Sequence, residues 1–335
     1  MEALNLGELF RQNPVFWDSC SWPKENLPAG FLQRSLETEA YGQGPDVRRA
    51  FEKWDEWIRA GRYKLFDLYS EKECAENPDK KNVKLLYFQG KPGQKFHIIC
   101  PGGAYTHVAT WLEGVAPAMA ITEEGYHAFV LVYRCDYACT ASEQLMPKPM
   151  EDLARALTFI IKNSRDLQVD IENYGVSGFS AGGHLAAFWG SRKYGYAHYQ
   201  LPAPSALILG YPALSSEIYY ELLQGTKMDR YPEAKAMTDS YLRLMGGPAY
   251  TQEAIRDFSA EYHVTGEYPP VYFVHNEDDP LVPYETSQRF CHALEEAGVN
   301  HVFESYRTGG HGFSLGYGKE ACGWYQRALK FYASV

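Results

Sequence analysis

From Val83 onward the chain alternates short apolar runs with longer amphipathic stretches, and that alternation limits its architecture more than any other feature. The runs are VKLLYF, FHIIC, AFVLVY, NYGVSGF, SALILGY, PVYFVH and HVFESY; helical patterns lie between them near 112–123, 149–164, 181–190, 284–297 and 319–334. Repetition of this kind predicts an α/β domain over 66–335, with a mostly parallel central sheet and crossover helices on both faces. One crossover is swollen. The stretch from Pro212 to about Pro269 reads as a Tyr-rich insertion, which in such a sheet falls over the carboxyl ends of the strands as a lid. Residues 1–65 read as an N-terminal helical extension. Within it, VRRAFEKWDEWIRAG puts Phe51, Trp54, Trp57 and Ile58 at helical spacing before a Gly stop. That apolar face suits docking on the main body or a homodimer contact.

Composition narrows the partners. The 335 residues are 45% hydrophobic and 22% charged, so the chain can bury a sizeable core. A formal charge of -10 leaves no basic face to neutralise phosphates, which argues against nucleic acid and acidic polymers. The seven cysteines are scattered, with no C-x-x-C and no zinc-type spacing; reduced, mostly buried thiols and no metal site are expected. MEALNLGELFRQ lacks the basic start and apolar core of a secretory signal, and no apolar run approaches the roughly 18 residues of a membrane span. Cytoplasmic residence without a membrane partner is the expectation.

The chemistry-bearing constellation begins where NYGVSGF runs into Gly178-Phe179-Ser180-Ala181-Gly182-Gly183-His184, a G-x-S-x-G elbow between a strand and a helix. Ser180 needs a sharp turn to expose its Oγ, and small neighbours let strand and helix close around it. The Ala181 N–H, at a helix start, faces any anion forming beside that hydroxyl. A serine hydroxyl needs a base, and the base needs a carboxylate to set its tautomer. After PVYFVH comes Asn276-Glu277-Asp278-Asp279-Pro280-Leu281-Val282-Pro283, where the D-x-x-V-P spacing favours Asp279 over Asp278 and Glu277. After HVFESY comes Arg307-Thr308-Gly309-Gly310-His311-Gly312-Phe313, with His311 between glycines.

Nine other histidines compete with His311. His97, His275 and His301 fall in or beside strands and read as structural. His127, His198, His263 and His292 read as helix, lid or surface residues, and His184 as pointing away along its helix. His107 lies near a fourth element, Cys100-Pro101-Gly102-Gly103-Ala104-Tyr105, whose Gly-rich turn follows FHIIC. There the N–H groups of Gly103 and Ala104, with that of Ala181, would form an oxyanion hole.

With these elements in place the sequence resembles α/β-hydrolase esterases related to acetyl xylan esterases and other bacterial acetylesterases. The likeness runs from about Tyr63 to the C-terminus through PGGAY with Glu113-Gly114, FVLVYR, MPKPMEDLARALTFI, GFSAGGHLAA, Tyr211-Pro212, DDPLVP and GGHGF. The resemblance implies an α/β-hydrolase fold and hydrolysis of short acyl esters, commonly acetyl groups on plant-polysaccharide sugars, without a cofactor. Ala104 stands where many relatives carry a third glycine, and residues 1–60 match no part of the pattern. The resulting expectation is a serine carboxylesterase acting on a small-molecule or oligosaccharide ester. Tyr105, His107, Trp111 and the lid tyrosines Tyr219, Tyr220, Tyr231 and Tyr241 are expected on the leaving-group side, with Tyr105 and Trp111 narrowing the acyl side. The alternatives are a prolyl-peptidase-like serine peptidase, an arylformamidase, or a binding protein that keeps the fold without the chemistry.

Overall fold

A strand covered on both faces is mostly apolar, and the central runs fit: His127–Val132, Ala206–Gly210 and Val271–Asn276 are buried throughout, with polar residues only at the strand ends. The computed structural model describes residues 44–140, 142–225 and 231–335, together with Gly7, Arg11, Val15 and Phe16. Its sheet has eight strands, β1 (Tyr63–Asp67), β2 (Lys84–Phe88), β3 (Gln94–Cys100), β4 (His127–Val132), β5 (Val169–Phe179), β6 (Ala206–Gly210), β7 (Val271–Asn276) and β8 (His301–Tyr306). They lie in the order β1-β2-β4-β3-β5-β6-β7-β8. β2 runs antiparallel to both neighbours, and all later pairs are parallel.

Because β3 lies between β4 and β5, the strand order reverses there, and a crevice opens at the carboxyl ends of strands flanking such a reversal. Cys100, the last residue of β3, sits in register with Gly178 of β5. The loop after β3 and the elbow after β5 therefore start side by side.

The main helices are α1 (Gly44–Arg59), α2 (Glu71–Glu76), α3 (Ala116–Glu123), α4 (Lys148–Lys162), α5 (Ser180–Gly190), α6 (Ser216–Gln224), α7 (Pro232–Gly246), α8 (Gln252–Arg256), α9 (Glu285–Glu296) and α10 (Trp324–Ser334), with a single further turn at Ser164–Leu167. Every residue of α5 is buried. Its glycines permit this packing: a Cβ on Gly183 would lie 2.6 Å from Pro212 Cβ. α10 buries Trp324, Tyr325, Leu329 and Tyr332, and the Tyr325 hydroxyl reaches Ser177 Oγ in β5 at 3.1 Å. Phe51, Trp54 and Trp57 of α1 are buried against Phe16, Tyr63 and Phe88, so the amphipathic face is covered by the chain's own body. α6, α7 and α8 lie within the 212–269 insertion. No helix among the described residues is long and apolar enough to cross a membrane.

Three details differ from expectation. β1 begins inside the stretch read as an extension; its half-buried edge sequence YKLFD carries little strand signal. His127 is neither a helix nor a surface residue but opens β4, where it accepts the Gly90 N–H at Nδ1 (3.1 Å) and meets the Lys91 carbonyl through Nε2 (2.8 Å). Of the six described cysteines, all free thiols, only Cys100 and Cys135 are buried.

Candidate active site

The turn from β5 into α5 places Ser180 at φ 51°, left-handed backbone that costs a non-glycine residue of order 1–3 kcal/mol. The surroundings enforce it. A Cβ on Gly178 would lie 2.2 Å from the Gly182 carbonyl oxygen, and one on Gly182 would lie 2.0 Å from that of Cys100. Larger residues at either position would push strand, helix and the β3 loop apart. Thus the glycines of the elbow are dictated by backbone contact on both sides of the serine.

His311 and Asp279 come to Ser180 on loops from neighbouring parallel strands. His311 Nε2 lies 2.9 Å from Ser180 Oγ, and His311 Nδ1 lies 2.6 Å from Asp279 Oδ2. A carboxylate at Nδ1 accepts a hydrogen bond from the ring N–H, which keeps the proton on Nδ1 and leaves the Nε2 lone pair for the Ser180 hydroxyl. Asp279 is itself fixed: its Oδ1 accepts the N–H groups of Leu281 (2.9 Å) and Val282 (2.8 Å), and its Oδ2 meets His275 Nε2 at 3.1 Å. Burial pushes this carboxyl up, but the His311 charge and hydrogen bonds from His275 and His311 outweigh it, holding it well below the usual carboxylate range. The glycines beside His311 have φ of 67° (Gly310) and 69° (Gly312). Such values let the loop turn its imidazole back over the elbow.

The loop after β3 presses on the serine from the other side. A Cβ on Gly102 would lie 2.7 Å from Ser180 Cβ, and Ala104 borders the same cavity as Ser180 and Ala181. The Ala181 N–H, in the first turn of α5, has no acceptor within its own helix. Glu113, buried to 4% exposure, braces the loop: its Oε2 accepts the Gly102 N–H at 2.7 Å and its Oε1 accepts the Tyr211 hydroxyl at 2.7 Å. Tyr211 in turn accepts the Ser314 N–H at 3.0 Å, and its ring stands edge-on to His311 at 4.8 Å. One carboxylate therefore links the β3 loop to the His311 loop. Burial pushes the Glu113 carboxyl up, against the Tyr211 hydrogen bond, the His311 charge and the Gly102 N–H.

A family model described as BD-FAE matches residues 87–294. The chain belongs to the BD-FAE family. Endo-1,4-beta-xylanase B of Butyrivibrio fibrisolvens is 31% identical over 233 residues, 68% of this chain and 34% of that protein. Acetylxylan esterase of Xylanibacter ruminicola is 25% identical over 246 residues, 71% of this chain and 45% of that protein. The chain thus matches a third to under half of each of these relatives. Among solved structures, an acetyl ester-xyloside bifunctional hydrolase from Caldicellulosiruptor lactoaceticus superposes with a TM-score of 0.65 at 25% identity, covering 81% of this chain and 96% of that one. BD-FAE membership and this superposition agree with the sheet order above in making the fold an α/β hydrolase.

In this BD-FAE chain Ser180 opens onto a cavity of about 380 Å³, counting its solvent-filled mouth. Its walls are largely alkyl and aromatic, with Ala104, Leu281 and Val282 from the main body and Ala213, Tyr219, Ala234, Met237, Thr238 and Tyr241 from the insertion. Tyr105, His107 and Trp111 are absent from this lining. Tyr105 is wholly buried with its hydroxyl 2.9 Å from His184 Nδ1, because its left-handed φ of 59° turns the side chain inward. His107 packs under the loop, where burial lowers its pKa to about 4, and Trp111 packs on Phe51 of α1. Of the other lid tyrosines, Tyr231 donates its hydroxyl to Glu285 and Tyr220 packs edge-on to Tyr250. His184 Nε2 faces the Phe258 carbonyl at 3.0 Å, clear of the serine.

Sequence reasoning passed over several supporting residues. His275 read as structural, yet it contacts the acid. Asp278 read as a competing acid, yet it accepts the N–H groups of Gly309 (3.1 Å) and Gly310 (2.9 Å). Asn276 Nδ2 donates to the Gly310 carbonyl at 2.8 Å. The signal for these two was their position at the end of β7, facing the end of β8.

Proposed function

We propose that this protein is a serine carboxylesterase that removes short acyl groups, acetyl foremost, from sugar or other alcohol esters. The observation that carries the reading is the unbroken Ser180–His311–Asp279 relay at the mouth of an apolar cavity. Ser180 Oγ attacks the acyl carbonyl as His311 Nε2 takes its proton, and Asp279 stabilises the imidazolium. The N–H groups of Gly103, Ala104 and Ala181 receive the oxyanion; a lost donor in such a hole costs about 3–4 kcal/mol. The alcohol leaves with the proton from His311. Water then gives its proton to His311, attacks the acyl-enzyme and frees the acid and Ser180. The relatives' names, acetylxylan esterase and acetyl ester-xyloside hydrolase, support acetyl on a xylan-type sugar as the first substrate to try.

The test uses p-nitrophenyl acetate, acetylated xylo-oligosaccharides and a fluorophosphonate label. Ser180→Ala is expected to lose the label and several orders of magnitude in kcat while melting as the parent does. Near-parental turnover in that variant overturns the mechanism. Failure of the parent chain to take the label favours a non-catalytic binding role for the fold.

A further inference from the structure

Cys291 and Glu295 stand one turn apart on α9, and His301 opens the edge strand β8 directly opposite them. Cys291 Sγ lies 3.7 Å from His301 Nε2 and 3.9 Å from Glu295 Oε1, and the three donor atoms all fall within 4.8 Å of one another. A zinc ion with bonds of about 2.3 Å to sulfur and about 2.0–2.1 Å to nitrogen and oxygen, at tetrahedral angles, spaces its ligand atoms about 3.4–3.6 Å apart. The sulfur-centred distances already come within a few tenths of an ångström of that. The histidine is also set for the task. Its Nδ1 donates to the Val299 carbonyl at 2.9 Å, which fixes the tautomer and leaves the Nε2 lone pair facing the thiol.

We propose that Cys291, Glu295 and His301 form a binding site for a thiophilic divalent cation of the zinc type, stapling α9 to β8. A sulfur, an imidazole and a single carboxylate select zinc-like ions over magnesium or calcium, which take oxygen ligands. Cys291 and His301 are half-buried and Glu295 is exposed, so the fourth position opens to solvent and is filled by water. On binding, the Cys291 thiol gives its proton to solvent and the thiolate ligates. The role is structural. α9 follows the Asp279 loop and β8 leads into the His311 loop, and none of the three ligands borders the Ser180 cavity.

The full chain, stripped with a chelator and dialysed, is titrated with zinc by calorimetry and with cobalt by absorbance, and melted with and without zinc. One equivalent of zinc is expected to bind, with a thiolate-to-cobalt absorption band and a rise in Tm. Cys291→Ser and His301→Gln are each expected to weaken binding about tenfold or more and to abolish the Tm rise. Exposed Cys322→Ser is expected to change neither, and ester hydrolysis is expected to be the same in all four proteins. The proposal is overturned if the parent shows no saturable binding, if Cys291→Ser or His301→Gln keeps parental affinity, or if Cys322→Ser loses the site. The binding and melting readouts do not depend on the esterase reading.

Discussion

Replacing Glu113 by Gln tests whether the brace between the two catalytic loops matters to turnover. The carboxylate receives two donors, the Gly102 N–H and the Tyr211 hydroxyl, both at 2.7 Å. An amide offers one oxygen. If that oxygen stays with Gly102, the new NH2 group faces a Tyr211 oxygen that already accepts the Ser314 N–H, and the hydroxyl proton loses its acceptor. A lost hydrogen bond to a charged group, with a buried donor left unpaired, costs about 1.5–3 kcal/mol. Expressed fully in the transition state, at about 1.4 kcal/mol per factor of ten, this is a fall in kcat of roughly 10- to 100-fold. KM is expected to stay within about threefold, because Glu113 does not border the cavity that holds the substrate. Tyr211→Phe removes the other end of the same link, so the double variant is expected to lose less than the two single losses combined. The assay is p-nitrophenyl acetate turnover with thermal melts alongside. A Glu113→Gln enzyme that melts normally and keeps kcat within about twofold refutes the reasoning, as does strict additivity in the double variant.

Two further expectations follow from the site. The Asp279 carboxyl, held below its ordinary range in the fold, contributes stability that is complete above about pH 4 and is lost as pH falls through its folded pKa. Melts of Asp279→Asn and the parent should therefore differ by a constant amount from neutral pH down to about pH 5 and converge at lower pH; convergence already at neutral pH contradicts the assignment. Under the proposed function, acyl selectivity is expected to follow the cavity lining, which neither Tyr105 nor Trp111 borders. Met237→Ala should raise the butyryl-to-acetyl ratio of kcat/KM about fourfold for each methylene newly accommodated, at about 0.8 kcal/mol each, and an unchanged ratio removes this cavity from the acyl side.

The features readable in sequence are those whose physics is local. Seven of the eight strands announce themselves as short β-rich runs, and Ser180, Asp279 and His311 each sit in a short string whose glycines or turn residues are required by the adjoining backbone. β1 escapes because an edge strand covered on one side carries only a faint alternation. Glu113 and His275 escape differently. Glu113 stands in the family pattern without a role attached, and His275 reads like any strand histidine; their roles exist only once β3, β5, β7 and β8 stand side by side. Tyr105 misleads because two successive left-handed residues, Ala104 and Tyr105, reverse the direction its side chain would take in an ordinary turn. The Cys291, Glu295 and His301 grouping follows no ligand spacing in sequence, since helix and strand are joined through a turn whose geometry decides the meeting.

The walls of the cavity divide by origin in a way that bears on how such a protein diversifies. On the main-body side the backbone around Ser180 packs directly against backbone at Gly178 and Gly182, so a larger residue at either position would push strand, helix and loop apart. On the insertion side, Tyr219, Ala234, Met237, Thr238 and Tyr241 meet the same cavity through side chains carried on α6 and α7, which are not part of the sheet. Under the proposed function, side-chain changes confined to that segment are therefore expected to reshape the pocket while leaving the backbone contacts around Ser180 as they are.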